Sequence, residues 1–177
     1  MRKVTFGGAN SLDNFIARKD DTVDWLLWSK DVNEIMKSYW KTIDTVVMGR
    51  RTYEAAARIG GGAYPGVKNY VFSRTIKKRS KKSLTFVSED AVEFVRHLKS
   101  EKGKGICVMG GGLLAKSLFE ADLIDEVGVN IHPVLLGSGI PLFHEMPRQI
   151  DLELIKCRQL SKGCVYILYK VKRRSSR

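Results

Sequence analysis

Val46-Val47-Met48-Gly49-Arg50-Arg51-Thr52-Tyr53-Glu54 decides how the fold is read. Three apolar residues run into a glycine, and two arginines and a threonine then open a helical pattern. A strand ending in glycine at a helix start leaves backbone N–H groups unpaired, at the positive end of the helix dipole. Two adjacent arginines add donors suited to phosphate. The stretch therefore predicts a strand–glycine–helix junction able to hold a phosphorylated ligand.

Two further junctions carry related chemistry. In Val71-Phe72-Ser73-Arg74-Thr75 a strand delivers two hydroxyls and a guanidinium at its C-terminal end, where open α/β sheets bind ligands. Ser73 and Thr75 also read as plain loop residues. In Ile106-Cys107-Val108-Met109-Gly110-Gly111-Gly112 a strand meets three glycines, which keep side chains away from an approaching ligand. Three such junctions in one chain point to a dinucleotide. Neither G-x-G-x-x-G nor G-x-x-x-x-G-K-[ST] is present, which disfavours an ordinary Rossmann domain and a P-loop.

Outward from these junctions, strands and helices alternate with short connections, predicting an α/β domain with a mixed, mostly parallel sheet flanked by helices. Strands are expected at Lys3–Gly8, Asp44–Met48, Lys68–Ser73, Leu84–Val87, Gly105–Met109 and Ile124–His132, with a short extended piece at Asn14–Ala17. Helices are expected over Asp31–Ile43 with Asp31 as cap, over Arg50–Arg58, over Glu89–Ser100 with Ser88 as cap, and after Gly112. Leu152–Gln159 and Cys164–Val171, joined at Ser161-Lys162-Gly163, form a C-terminal antiparallel hairpin. Residues 1–172 read as one domain and residues 173–177 as a basic tail.

The chain has 177 residues, with 31 Lys+Arg against 19 Asp+Glu, a net charge of +12 that attracts anions. Arg74, Lys77, Lys78, Arg79, Lys81 and Lys82 form one basic cluster, and Lys170, Lys172, Arg173, Arg174 and Arg177 another. Both suit solvated loops, and both suit a nucleic-acid surface, the competing non-enzymatic reading. No helix-turn-helix, zinc-finger or RNP-type pattern accompanies them, which disfavours nucleic acid. Cys107, Cys157 and Cys164 lack metal-ligand spacing, so no metal site is expected, and their odd number argues against a disulfide framework. No apolar run approaches the ~20 residues of a membrane span, and the N-terminus lacks a signal-peptide core. A cytoplasmic location is the expectation.

The first and third junctions, with Lys68-Asn69-Tyr70-Val71-Phe72-Ser73 between them, resemble the dihydrofolate reductase superfamily in order and spacing. Ser11-Leu12-Asp13 and Asp125-Glu126…Pro133-Val134-Leu135-Leu136-Gly137-Ser138-Gly139 resemble the reductase domain of riboflavin biosynthesis proteins. The resemblance implies a dihydrofolate-reductase-like fold and an NADPH-dependent hydride transfer to a small heterocycle. It places the phosphates on Gly49, Arg50, Arg51 and Thr52, and the 2′-phosphate on Ser73 and Arg74. The pyrophosphate falls to Gly110, Gly111, Gly112 and Leu113, with a cis peptide between the first two glycines, and the nicotinamide lies between Ala9 and Ile16.

On the substrate side the chain departs from both patterns. The helix carboxylate of dihydrofolate reductases aligns with Asn33; Glu34 serves after a one-residue shift, or is a solvated helix carboxylate. Val67 stands where folate's carboxylate is gripped, Ala115 follows the glycines where a tyrosine is usual, and Met109 replaces the glutamate usual in the riboflavin enzymes. Folate is therefore disfavoured. Asp13 and Glu34 are the candidate catalytic carboxylates. Trp25, Trp28 and Trp40 are candidates to wall an aromatic pocket, and Asp20–Ser29 to form a lid by family analogy. His132 either reaches the pocket or is a satisfied strand-end histidine. The apolar Leu135–Phe143 passage, with the family's habit of pairing, predicts a homodimer.

Overall fold

The computed structural model describes residues 1–76 and 83–173. Of the basic clusters, Lys77, Lys78, Arg79, Lys81, Lys82, Arg174 and Arg177 lie outside the described residues. Ten strands and four helices follow in the order β1 (Val4–Ser11), β2 (Phe15–Ala17), α1 (Lys30–Trp40), β3 (Ile43–Gly49), α2 (Arg50–Arg58), β4 (Lys68–Phe72), β5 (Leu84–Val87), α3 (Ala91–Ser100), β6 (Gly105–Met109), α4 (Gly112–Glu120), β7 (Glu126–His132), β8 (Ile140–Pro141), β9 (Leu152–Gln159) and β10 (Val165–Val171). Eight strands form one sheet in the order β5-β4-β3-β6-β1-β7-β10-β9, and β2 pairs with β8 beside it. Pairings from β5 across to β7 are parallel, and β10 joins β7 and β9 antiparallel. This is the mixed, mostly parallel, dihydrofolate-reductase-like architecture with its C-terminal hairpin.

The buried parallel strands are near-continuous apolar runs, as expected where both faces are covered. Val4, Phe6, Val47, Ile106, Val108 and Val127 pack with Leu98 of α3 and with Leu118 and Phe119 of α4 in the largest core cluster. Val46, Met48, Val71, Leu84 and Cys107 form a second cluster under Tyr39 and Trp40 of α1.

Several strand ends shift by one or two residues, and four element boundaries differ from expectation for an identifiable local reason. Strand β1 runs through Gly7-Gly8 to Ser11, because these glycines sit inside the ladder. A Cβ on Gly7 would lie 1.7 Å from the Gly128 carbonyl oxygen on β7, so Gly7 permits a close backbone approach and does not end the strand. Helix α1 is capped by Ser29, whose Oγ accepts the Val32 N–H; Asp31 instead accepts the Ser161 N–H and hydroxyl at 2.6 Å each. The same helix stops before Ile43, where Thr42 folds its hydroxyl back on the Tyr39 carbonyl at 2.7 Å. Helix α3 is capped by Asp90, which accepts the Val92 and Glu93 N–H groups, leaving Ser88 outside.

At the N-terminal end of the sheet, buried charges are paired. Arg2 meets Asp44 and donates to the Lys104 carbonyl, while Lys99 pairs with Asp125, which also accepts the Val4 N–H at 2.8 Å. This leaves the opposite, C-terminal end of the parallel strands to carry the site.

Candidate functional site

The sheet order makes β4, β3 and β6 neighbours, so the three glycine- or hydroxyl-bearing junctions stand side by side along one sheet edge. Helices α2 and α4 begin at Gly49 and Gly111, neither of which offers a side-chain cap to the first N–H groups. Those donors are left for another partner. A Cβ on Gly49 would meet nothing within 4 Å, so the β3–α2 turn faces open space. Gly110 and Gly111 have φ of +60° and +48°, and a Cβ on Gly110 would lie 2.6 Å from Thr52 Oγ1. The two helix starts therefore face each other with only glycine able to fit between. The Gly110–Gly111 peptide is trans, which corrects the cis bond implied by the family resemblance.

Ser73 is buried beyond the end of β4, and its Oγ accepts the Thr75 and Ile76 N–H groups at 3.3 and 3.1 Å. Arg74, Arg50 and Arg51 are exposed. Arg51 lies 3.5 Å from Asp21, which also meets Arg58 at 3.2 Å, and Arg50 faces Glu54. Leu113 is exposed at the start of α4. His144, to which the sequence assigns no role, packs over this helix start: a Cβ on Gly112 would come within 2.5 Å of its ring.

Beside these junctions, a cavity of about 320 Å³ lies between α1 and the sheet. Gly7, Gly8 and Ala9 of β1, Met109 of β6, and Gly128 and Asn130 of β7 line its sheet side. Val32, Ile35, Met36 and Tyr39 of α1 close it, with Leu26, Leu27 and Trp28 from the segment before. Ala9 lines the cavity, and Ile16 packs against the main core cluster. Met109 ends β6 next to Gly110, so cavity and glycine junction adjoin.

Neither candidate carboxylate lines this cavity. Asp13 accepts the Ser11 hydroxyl at 2.6 Å and the Leu136 and Gly137 N–H groups at 3.1 and 2.8 Å, tying the β1–β2 turn to the loop before β8. The Ser11 hydroxyl, then these N–H groups, hold its carboxyl below the usual range against the upward pull of burial. Glu34 is exposed and borders a second hollow with Lys3, Glu126, Lys156 and Arg158. Helix α1 turns that side of its polar face away from the cavity.

His132 does line the cavity and is 2% exposed. Its Nδ1 accepts the Leu27 N–H at 3.1 Å, and Trp25 packs edge-to-face on its ring with centroids 5.3 Å apart. Burial pushes its pKa down, so the ring is neutral at neutral pH. Both sequence readings of His132 therefore hold. Of the tryptophans, Trp28 lines the cavity, and Trp40 stacks on Tyr64 at 4.9 Å. Burial also raises Tyr39 and pushes the neighbouring Cys107 thiol up to about 11, so both stay protonated. Asn130 and Tyr166 escaped the sequence reading; the alternation Gly128, Asn130, His132 against Val127, Val129, Ile131 is the signal that places the first set on one face.

The sequence matches the RibD C-terminal domain family over residues 2–166. The chain belongs to that family. The Bacillus subtilis protein YwjB is 36% identical over 164 residues, covering 92% of this chain and 94% of YwjB. A candidate riboflavin biosynthesis protein from Shewanella sp. PV-4 superposes with a TM-score of 0.83 at 27% identity, covering 98% of this chain and 100% of that one. Dihydrofolate reductase from Enterococcus faecalis, solved with NADP(H), superposes with a TM-score of 0.73 and covers 97% of each chain. At 18% identity this last likeness shows the shared fold. No helix among the described residues of this RibD C-terminal domain protein is long and apolar enough to cross a membrane.

Proposed function

We propose that this protein is an NADPH-dependent reductase that transfers a hydride to a small planar heterocycle, pterin- or pyrimidine-like, held in the cavity beneath α1. The observation that carries the reading is the adjacency of the β4, β3 and β6 junctions, with the cavity opening beside them. The residues fit the cofactor: the space around Gly49 is open, and the uncapped N–H groups at Gly49 and Gly111 suit phosphate.

In this reading Gly49, Arg50, Arg51 and Thr52 hold the phosphates, Ser73 and Arg74 meet the 2′-phosphate, and Gly110, Gly111, Gly112 and Leu113 admit the pyrophosphate. Ala9 and Ile16 flank the nicotinamide. When bound, NADPH supplies the hydride; the protein supplies position and excludes water. The apolar side chains of Leu26, Leu27 and Met36 close the cavity over the substrate, and the glycines of β1 and β7 give it a flat floor. The test is titration of the purified protein with NADPH, followed by tryptophan fluorescence. Saturable binding supports the reading, and failure to bind removes its foundation.

Family membership favours a second reading, a 5-amino-6-(5-phosphoribosylamino)uracil reductase of the riboflavin pathway. Turnover of that substrate with NADPH would support it. A nucleic-acid-binding module would instead show steeply salt-dependent DNA or RNA binding that NADPH does not compete away. Self-association is proposed as well: Leu135 is 69% exposed on the passage expected to pair. A monomeric mass in sedimentation rejects it.

A further inference from the structure

The cavity's walls narrow the substrate further than the reductase reading does. Among the described residues lining it there is no Lys, Arg, Asp or Glu. Leu26, Leu27, Val32, Ile35, Met36 and Leu160 supply an apolar wall. Cations do stand nearby, but they border the second hollow, where Lys3, Lys156 and Arg158 gather. Thr5, Ile35, Tyr39 and Tyr166 line both spaces and form the partition between them. A phosphate placed on the apolar side would lose its water and gain no cation, a cost of several kcal/mol for any buried charge.

We infer that the cavity selects a neutral, unphosphorylated planar molecule. This rests on reading the cavity as the reductase's substrate site, and it separates this chain from reductases that act on a phosphoribosyl compound. The size agrees: about 320 Å³ suits a few fused rings.

The test uses three probes of one ring family on the purified full chain: lumichrome, riboflavin and riboflavin 5′-phosphate. Binding is followed by quenching of tryptophan fluorescence, after NADPH has been titrated into the same preparation. Lumichrome is expected to bind most tightly, and the phosphate is expected to weaken riboflavin binding by about tenfold or more. Met36→Lys, which puts a cation into the apolar wall, should narrow or reverse the riboflavin-to-phosphate difference. Equal or tighter binding of the phosphate in the wild type overturns the inference, as does absence of lumichrome binding. NADPH binding with a preference for the phosphate would sink this inference and spare the reductase reading. Lumichrome binding without NADPH binding would do the reverse.

Discussion

Thr52 and Gly110 meet across two different strand–helix junctions: a Cβ added to Gly110 would lie 2.5 Å from Thr52 Cγ2 and 2.6 Å from Oγ1. Residues 58 positions apart in sequence are thereby brought together, so that the starts of α2 and α4 present their free N–H groups to one space. The positive φ of Gly110 adds a second reason for glycine there.

Gly110→Ala should therefore destabilise the protein by about 1–3 kcal/mol in urea unfolding and weaken NADPH binding by about tenfold. Gly60→Ala is the control. Gly60 also has a positive φ, at the other end of α2, but open space around it. Its substitution should cost stability through backbone strain and leave NADPH affinity as it was.

Asp21 occupies the arginine face that the phosphates would use, meeting both Arg51 and Arg58. Its φ of +68° is one that asparagine adopts readily, so Asp21→Asn removes charge with little backbone cost. NADPH binding should tighten about threefold at low salt, consistent with the small worth of exposed ion pairs. The gain should fade towards ~0.5 M salt, where such charges are screened. A variant that binds NADPH more weakly would show that Asp21 orders the arginines and does not compete for them.

Much of this arrangement was legible from sequence. The bounds of α2, β5, β6 and β9 stand as expected. Gly7-Gly8 misled for the opposite reason: their lack of side chains serves a contact with β7, a partner remote in sequence. Asp31 and Ser88 lost their expected capping roles to Ser29 and Asp90, since nearby Ser and Asp residues compete for a cap and only backbone geometry chooses. Asp13 stood out in the sequence as a candidate catalytic carboxylate, and its three partners show that it fastens a turn. The cavity wall was least legible, because Asn130, Tyr166 and Leu160 come from strands and turns whose spatial order only the sheet reveals.

The buried charges at the far end of the sheet give a pH dependence. Burial draws the Asp125 carboxyl upward, but hydrogen bonds from Lys99, the Val4 N–H and Arg173, with the nearby charge of Lys99, hold it below the usual range. A carboxyl more acidic when folded stabilises the protein above its unfolded value, about 3.9, and that stability is lost as pH falls through the folded value. Asp125→Asn should cost about 2 kcal/mol at pH 7, a figure reduced for its partial exposure, and should flatten the loss of stability below about pH 4. Urea unfolding at pH 7 and in acid measures both.

The most direct test of the central claim is the affinity of the protein for NADPH and for NADH, compared among wild type, Arg51→Ala and Ser73→Ala. The three adjoining junctions predict tight NADPH binding, weak NADH binding, and loss of that preference in both variants. Equal affinity for the two nucleotides, or none for either, would contradict the cofactor site and leave the cavity without its proposed hydride source.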